Sequence, residues 1–145
     1  MTFYTSYFGN IKRIREQHPD YILVSISLSE KLSKDTTFSE KRFSPELSVL
    51  QEYKRTNNAK KCVEDFNLKL QNLNIDNIIK EIAKKYGANK NYVLLCYEKP
   101  TEFCHRHIIA NLLEKKYNIE VNELNIDLNN YKRENFKYTN STMDW

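Results

Sequence analysis

The sequence predicts a single α/β domain: a small Rossmann-like three-layer sandwich built on a mostly parallel four-stranded sheet. Three observations predict it. Strand-like runs alternate with helix-like runs along the chain, as a parallel sheet with crossover helices requires. The run "NYVLLCY" (91–97) is almost wholly apolar, the pattern of a central parallel strand covered on both faces. The 145 residues, 40% apolar and 29% charged, supply one core with a solvated surface and hardly a second domain.

The elements follow in order. "TFYTSYF" (2–8) is aromatic and Thr-rich and ends at Gly9, which reads as a first strand and a tight turn. "NIKRIREQHPD" (10–20) predicts a short helix on Ile11 and Ile14, stopped by Pro19. "YILVSISLS" (21–29) predicts a second strand. Ile22, Val24, Ile26 and Leu28 share one face, while Tyr21 and Leu23 make the other apolar at its start. "EKLSKDTTFSEKRF" (30–43) is polar and without period, as expected of a surface loop. In "SPELSVLQEYKRT" (44–56), Ser44 is the expected N-cap of a helix and Pro45 its first residue.

Ala59, Cys62, Val63, Phe66, Leu70 and Leu73 trace one helical face. Ile75, Ile78, Ile79, Ile82, Ala83 and Tyr86 trace another, closed by Gly87. After the strand at 91–97 comes a helix over about 103–117, with Ile108, Ile109, Leu112 and Leu113 as its apolar side. "NIEVNEL" (118–124) alternates Ile119 and Val121 against Glu120 and Asn122, which suits an edge strand. The domain is therefore expected over 1–124, with a polar tail over 125–145. Tyr131 and Trp145 are candidates to dock that tail on the domain or on a second copy in a homodimer.

The expected strand order is 2-1-3-4, which puts a topological switch point between the first and third strands. Open α/β sheets bind ligands in such a crevice, beyond the carboxyl ends of the strands. Two loops would meet there: "SYFGN" after the first strand and "YEKPTEFCHR" after the third.

Net charge is +4, which permits a nucleotide, phosphate or nucleic-acid partner without demanding one. The start "MTFYTSYFGNIKRIREQ" has no basic leader followed by an apolar run, and no stretch approaches membrane-spanning length. The expectation is a cytoplasmic protein with no membrane partner. Three cysteines without a disulfide-scaffold spacing suggest reduced thiols. Cys62, on an apolar helical face, reads as core. No G-x-G-x-x-G and no Walker loop is present, so no nicotinamide or ATP cofactor held in those ways is expected.

The chemistry concentrates in "CYEKPTEFCHR" (96–106). Cys104, His105 and Arg106 are placed in the first turn of a helix, where free N–H groups favour anions and lower a thiol pKa. Cys104 is then a candidate nucleophile, Arg106 an anion clamp, and Glu98 or His105 a proton-transfer group. Glu98 is the leading general base, since a half-desolvated carboxyl at the crevice has a raised pKa. The competing reading is structural. Helical geometry points Cys104 and Arg106 nearly opposite ways, His105 continues the apolar side through Ile109 and Leu112, and Glu98 pairs with Arg106 to fix the loop.

Cys96, Cys104 and His105 offer soft metal ligands, but their spacing matches no standard zinc pairing and neighbours on a helix chelate poorly, so no metal is expected. A tyrosine-phosphatase-type loop from Cys96 would need an Arg where Glu102 stands. Lys99, adjacent to Glu98, is a further binding candidate. Tyr4, Tyr7 and Phe8 are candidates to stack on a base or ring, with ordinary strand packing favoured for Tyr4 and Phe8. Gly9 is a candidate to bring backbone N–H groups to a phosphate. "EYKRTNNAKK" (52–61) is locally basic, either a phosphate contact or a solvated helix end.

Three motifs carry a family resemblance. "LLCYEKPTEFCHRHIIANLL" is similar to the signature of the domain-of-unknown-function 488 family, in which a strand ending Leu-Cys-x-Glu leads through a short loop into Cys-His-Arg. "FYTSYFGN" resembles that family's first strand with its Tyr and Gly turn, and "FSPELSVLQEYK" its Pro-led helix. The resemblance spans roughly residues 3–124. It implies a small Rossmann-like fold with a site around the Cys-His-Arg loop, and it brings Cys96 and His105 in as binding candidates beside Tyr7 and Gly9. Many members carry Asp-Val-Arg at the end of the second strand; this chain has Ser25-Ile26-Ser27, which leaves Ser27 as the candidate binding residue there.

The leading expectation is a small enzyme acting on a nucleotide or a nucleic-acid component. The alternative is a non-catalytic module that binds such a ligand and signals to a protein partner. In a third reading Cys-x-Glu and Cys-His-Arg form a structural lock.

Overall fold

The most apolar strand takes the centre of the sheet. In the computed structural model, which describes residues 1–98 and 103–124, five strands form: β1 (Thr2–Tyr7), β2 (Ile22–Ser25), β3 (Phe38–Ser39), β4 (Asn91–Cys96) and β5 (Asn122–Glu123). Their order is β3-β2-β4-β1-β5, and every pairing is parallel. The α/β class and the parallel sheet are as expected; the strand count and the order 2-1-3-4 are not. Strand β4 lies between β1 and β2, where the order from sequence put it outside β1. Burial gives the physical reason. Tyr92 through Cys96 are all buried, whereas β1 carries Thr and Ser and an exposed first residue, so β4 profits most from cover on both faces.

The missed strand lies in the supposed loop at 30–43. That segment holds α2 (Glu30–Ser33), β3 and a 3-10 turn at Lys41–Phe43 whose Phe43 is fully buried. A two-residue strand is too short for alternation to show. It is fixed instead by the Thr37 N–H donating to the Leu23 carbonyl and the Glu40 N–H to the Ser25 carbonyl.

The other helices are α1 (Ile11–Gln17), α3 (Leu47–Thr56), α4 (Ala59–Gln71), α5 (Ile75–Tyr86) and α6 (His105–Tyr117). Ile14 of α1 packs with Leu23, Val93 and Leu95 on one face of the sheet. On the other face α4, α5 and α6 bury Phe66, Ile78, Ile109 and Leu112 against Phe3, Val24, Tyr92 and Leu94. Each such side chain, fully buried, contributes about 1.5–3 kcal/mol. Helix α3 begins two residues later than expected. Its N-cap is Glu46, and the Ser44 hydroxyl donates to the Pro45 carbonyl instead of capping the helix. Asn58 and Asn74 do cap α4 and α5, each accepting an N–H three residues on at 3.1 Å.

Register levels the strand ends. Strand β1 pairs with β4 from Thr2↔Asn91 to Tyr7↔Cys96, and β2 with β4 up to Ser25↔Leu95. The Ile26 N–H then donates to the Leu95 carbonyl at 2.9 Å. Three carboxyl ends therefore share one rim. No helix among the described residues is long and apolar enough to cross a membrane.

Candidate functional site

The segments leaving that rim line a cleft of about 1080 Å³. Strand β1 supplies Tyr7, followed by Phe8 and Gly9; α1 adds Lys12 and Arg15. From α2 and the turn after it come Lys31, Lys34, Asp35 and Thr36, and from the end of β4 come Tyr97 and Glu98. Spacing explains the cations. Lys12 and Arg15 are three apart on α1 and stay exposed while Ile14 is buried in the core; Lys31 and Lys34 repeat the interval. Arg15 donates through Nη2 to the Asp35 carbonyl, tying α1 to the α2 turn.

Four cations thus face two carboxylates, and three aromatic rings stand among them. Tyr97 is 66% exposed, so its ring is open to stacking. The Tyr7 ring lies over Gly9 so closely that a β-carbon there would sit 2.8 Å from Cε2.

A buried cluster adjoins the cleft through Glu98. Cys96 ends β4, and Cys104 is the N-cap of α6, with extended backbone (φ −150°, ψ 146°) in place of the helical geometry expected. Their sulfurs are joined in a disulfide, which replaces the expected pair of free thiols; Cys62 is the free, buried cysteine. Burial pushes the Cys62 thiol up to about 11.

Arg106 is buried beside the pair. It donates from Nε and Nη2 to Glu123 at 3.0 and 2.8 Å, and from Nη1 to the Glu98 carbonyl at 2.6 Å and to Cys96 Sγ at 3.2 Å. His105 reaches the Ile26 carbonyl through Nε2 at 2.5 Å. A carbonyl only accepts, so Nε2 carries the proton and Nδ1 keeps its lone pair. Burial, helped by the Arg106 and Lys69 charges and opposed by that carbonyl, lowers the imidazole pKa to about 4, so the ring is neutral at pH 7.

A family model described as the active DUF488-N3 subclade (DUF488-N3a) matches residues 8–117, well over half of the chain. This protein belongs to the DUF488 family. No curated protein and no solved structure matches it significantly.

In this DUF488 domain the predicted site residues divide into two groups. Tyr7, Gly9 and Glu98 line the cleft. Cys96, Cys104, His105 and Arg106 are gathered in the cluster. Arg106 does not face the cleft as an anion clamp: its guanidinium is enclosed, it pairs with Glu123, and it donates to the Glu98 backbone carbonyl. Ser27 lies off the cleft lining and makes turns in the β2 loop, where its hydroxyl accepts the Ser29 N–H at 3.1 Å. Lys99, Glu102 and the tail 125–145 with Tyr131 and Trp145 lie outside the described residues.

The crevice also differs from the expected one. It lies over the end of β4, between the segments after β1 and β2, because β4 separates those strands. Sequence reasoning missed Lys12, Arg15, Lys31, Lys34 and Glu123. The repeated three-residue interval was the available signal for the cations. For Glu123 it was parity, since Glu123 falls in step with Val121 on the buried side.

Proposed function

We propose that the cleft binds a phosphate-bearing nucleotide or nucleic-acid component, and that the domain acts on it as a small enzyme. One observation carries the reading: Lys12, Arg15, Lys31 and Lys34 share a single cleft with the rings of Tyr7, Phe8 and Tyr97. Cations attract the phosphate, and the exposed Tyr97 ring stacks on a base or sugar face beside the half-buried Tyr7 and Phe8. Glu98, the half-buried carboxylate at the end of β4, is the proton-transfer group. Arg106 is a positioning residue that holds the Glu98 backbone through its carbonyl. With Cys104 in the disulfide, the reading uses no thiolate nucleophile.

Thermal shift with mononucleotides, short single-stranded DNA or RNA, and inorganic phosphate tests binding. Stabilisation by a nucleotide or strand beyond that by phosphate, lost in Lys12→Ala/Lys34→Ala, supports it; no stabilisation by any of them overturns it. Product analysis with the ligand that binds then separates the enzyme from a binding module. Turnover abolished in Glu98→Gln with binding intact is the enzymatic outcome.

A further inference from the structure

The buried cluster has a second chemistry that the cleft does not use. Cys96 Sγ, Cys104 Sγ and a ring nitrogen of His105 all lie within 4.8 Å of one another, and His105 Nδ1 is 3.9 Å from Cys104 Sγ. We propose that, once its disulfide is reduced, this cluster binds a soft divalent cation, zinc above all, through two thiolates and one imidazole.

The local backbone makes the convergence possible. A helical Cys104 would aim its sulfur about 100° away from the His105 ring. Cys104 is instead extended, and its Sγ comes 3.9 Å from His105 Nδ1. The objection that neighbours on one helix chelate poorly therefore does not apply to this pair.

The tautomer is also set. The Ile26 carbonyl takes the Nε2 proton, which leaves the Nδ1 lone pair available to a metal. A backbone carbonyl behind a ligating histidine is the usual outer partner, orienting the ring and raising its donor strength.

Charge balance favours the same site. Two thiolates neutralise a divalent ion, while Arg106 and Glu123 neutralise one another. Arg106 Nη1, 3.2 Å from Cys96 Sγ, is a hydrogen-bond donor that stabilises the thiolate form. The Cα atoms of Cys96 and Cys104 are 7.3 Å apart. Two Zn–S bonds of about 2.3 Å in tetrahedral geometry hold the sulfurs about 3.8 Å apart, a span that separation accommodates by side-chain rotation.

The disulfide and the metal exclude each other. An external dithiol or phosphine reductant gives two electrons, and two protons are taken up as the S–S bond breaks and the reductant is oxidised. The two thiols then release two protons as M²⁺ forms two M–S bonds, with His105 Nδ1 as third ligand and a fourth position left for water or an anion.

The test uses the full chain and cobalt(II), then zinc(II), added anaerobically with and without a phosphine reductant. The expected result is thiolate-to-cobalt charge-transfer absorption with tetrahedral d–d bands, saturating at one ion per chain, bleached by zinc and absent from the oxidised protein. Cys62→Ser keeps the spectrum; Cys104→Ser and His105→Gln lose the saturating band. Ser is a preferred N-cap, so Cys104→Ser retains the α6 start, which circular dichroism verifies. Reduced wild-type protein without a thiolate–cobalt band overturns the proposal, as does equal binding by the oxidised protein or loss of the band in Cys62→Ser. The outcome is independent of nucleotide binding in the cleft.

Discussion

Arg106 and Glu123 meet inside the domain as a bidentate pair, Nε to Oε1 at 3.0 Å and Nη2 to Oε2 at 2.8 Å, with neither side chain exposed. Glu123 lies on β5 beside Thr5 of β1, so this pair joins the start of α6 to the edge of the sheet. The same guanidinium reaches the Glu98 carbonyl, and through it the rim of the cleft.

Breaking such a pair from one side leaves an uncompensated buried charge. Arg106→Met and Glu123→Leu are each expected to cost about 3–5 kcal/mol in urea unfolding. The double variant is expected to cost less than the sum of the singles, because no stranded charge remains. Additive costs in the double-mutant cycle would mean that the pair is not coupled.

How far the sequence discloses this molecule depends on the length of each signal. The run at 91–96 is almost wholly apolar and 105–117 carries a sustained helical apolar side through Ile108, Ile109, Leu112 and Leu113, and both form elements close to the positions predicted from them. Strand order rests on which strand gains most from double cover, and connection direction alone gave the wrong neighbour for β1. Strand β3 is two residues long, too short to show a period, whereas β5, equally short, falls inside the alternating run 118–124 that the sequence reads as an edge strand. The cluster residues were legible as types: Cys96, Cys104, His105 and Arg106 do come together. Their roles were not, because the Arg106 partner comes from 17 residues further on, and because the extended backbone of Cys104 breaks the helical spacing assumed for it.

Gly9 is the position where the cleft is most easily disturbed without touching the core. A β-carbon there would meet the Tyr7 ring at 2.8 and 3.2 Å, so Gly9→Ala must displace the ring. Gly9 is exposed, and its backbone needs no left-handed conformation, so the fold tolerates the change. The expected outcome is weaker binding of the cleft ligand, with a melting temperature within a few degrees of the parent protein. Unchanged affinity by titration would remove Tyr7 from the binding surface.

Cations and rings make separable contributions to the cleft. Lys12→Ala and Lys34→Ala should each flatten the salt dependence of binding to a phosphate-bearing ligand, since each removes a charge contact. Tyr97→Ala should leave that slope intact and cost about 1–3 kcal/mol of stacking at every salt concentration. Affinity measured across a salt series distinguishes them. A Tyr97 effect that vanishes at low salt contradicts stacking.

His105 gives the domain a pH dependence of known sign. Its folded pKa, about 4, lies below the ordinary value of 6.5, chiefly through burial. Between those values the unfolded chain takes up a proton that the folded one does not. Stability from this group is therefore complete above about pH 6.5, falls as pH drops toward 4, and falls no further below it. The full loss is at most about 3 kcal/mol. Asp76 acts in a lower window: Tyr117 and Lys116 hold its pKa below the usual carboxylate value, so its contribution disappears only under more acidic conditions. Glutamine at 105 offers an amide N–H to the Ile26 carbonyl and does not titrate. Urea unfolding at pH 7 and pH 4.5 should show a marked decline for the parent chain and a shallower one for His105→Gln. Parallel declines would place the acid sensitivity elsewhere in the molecule.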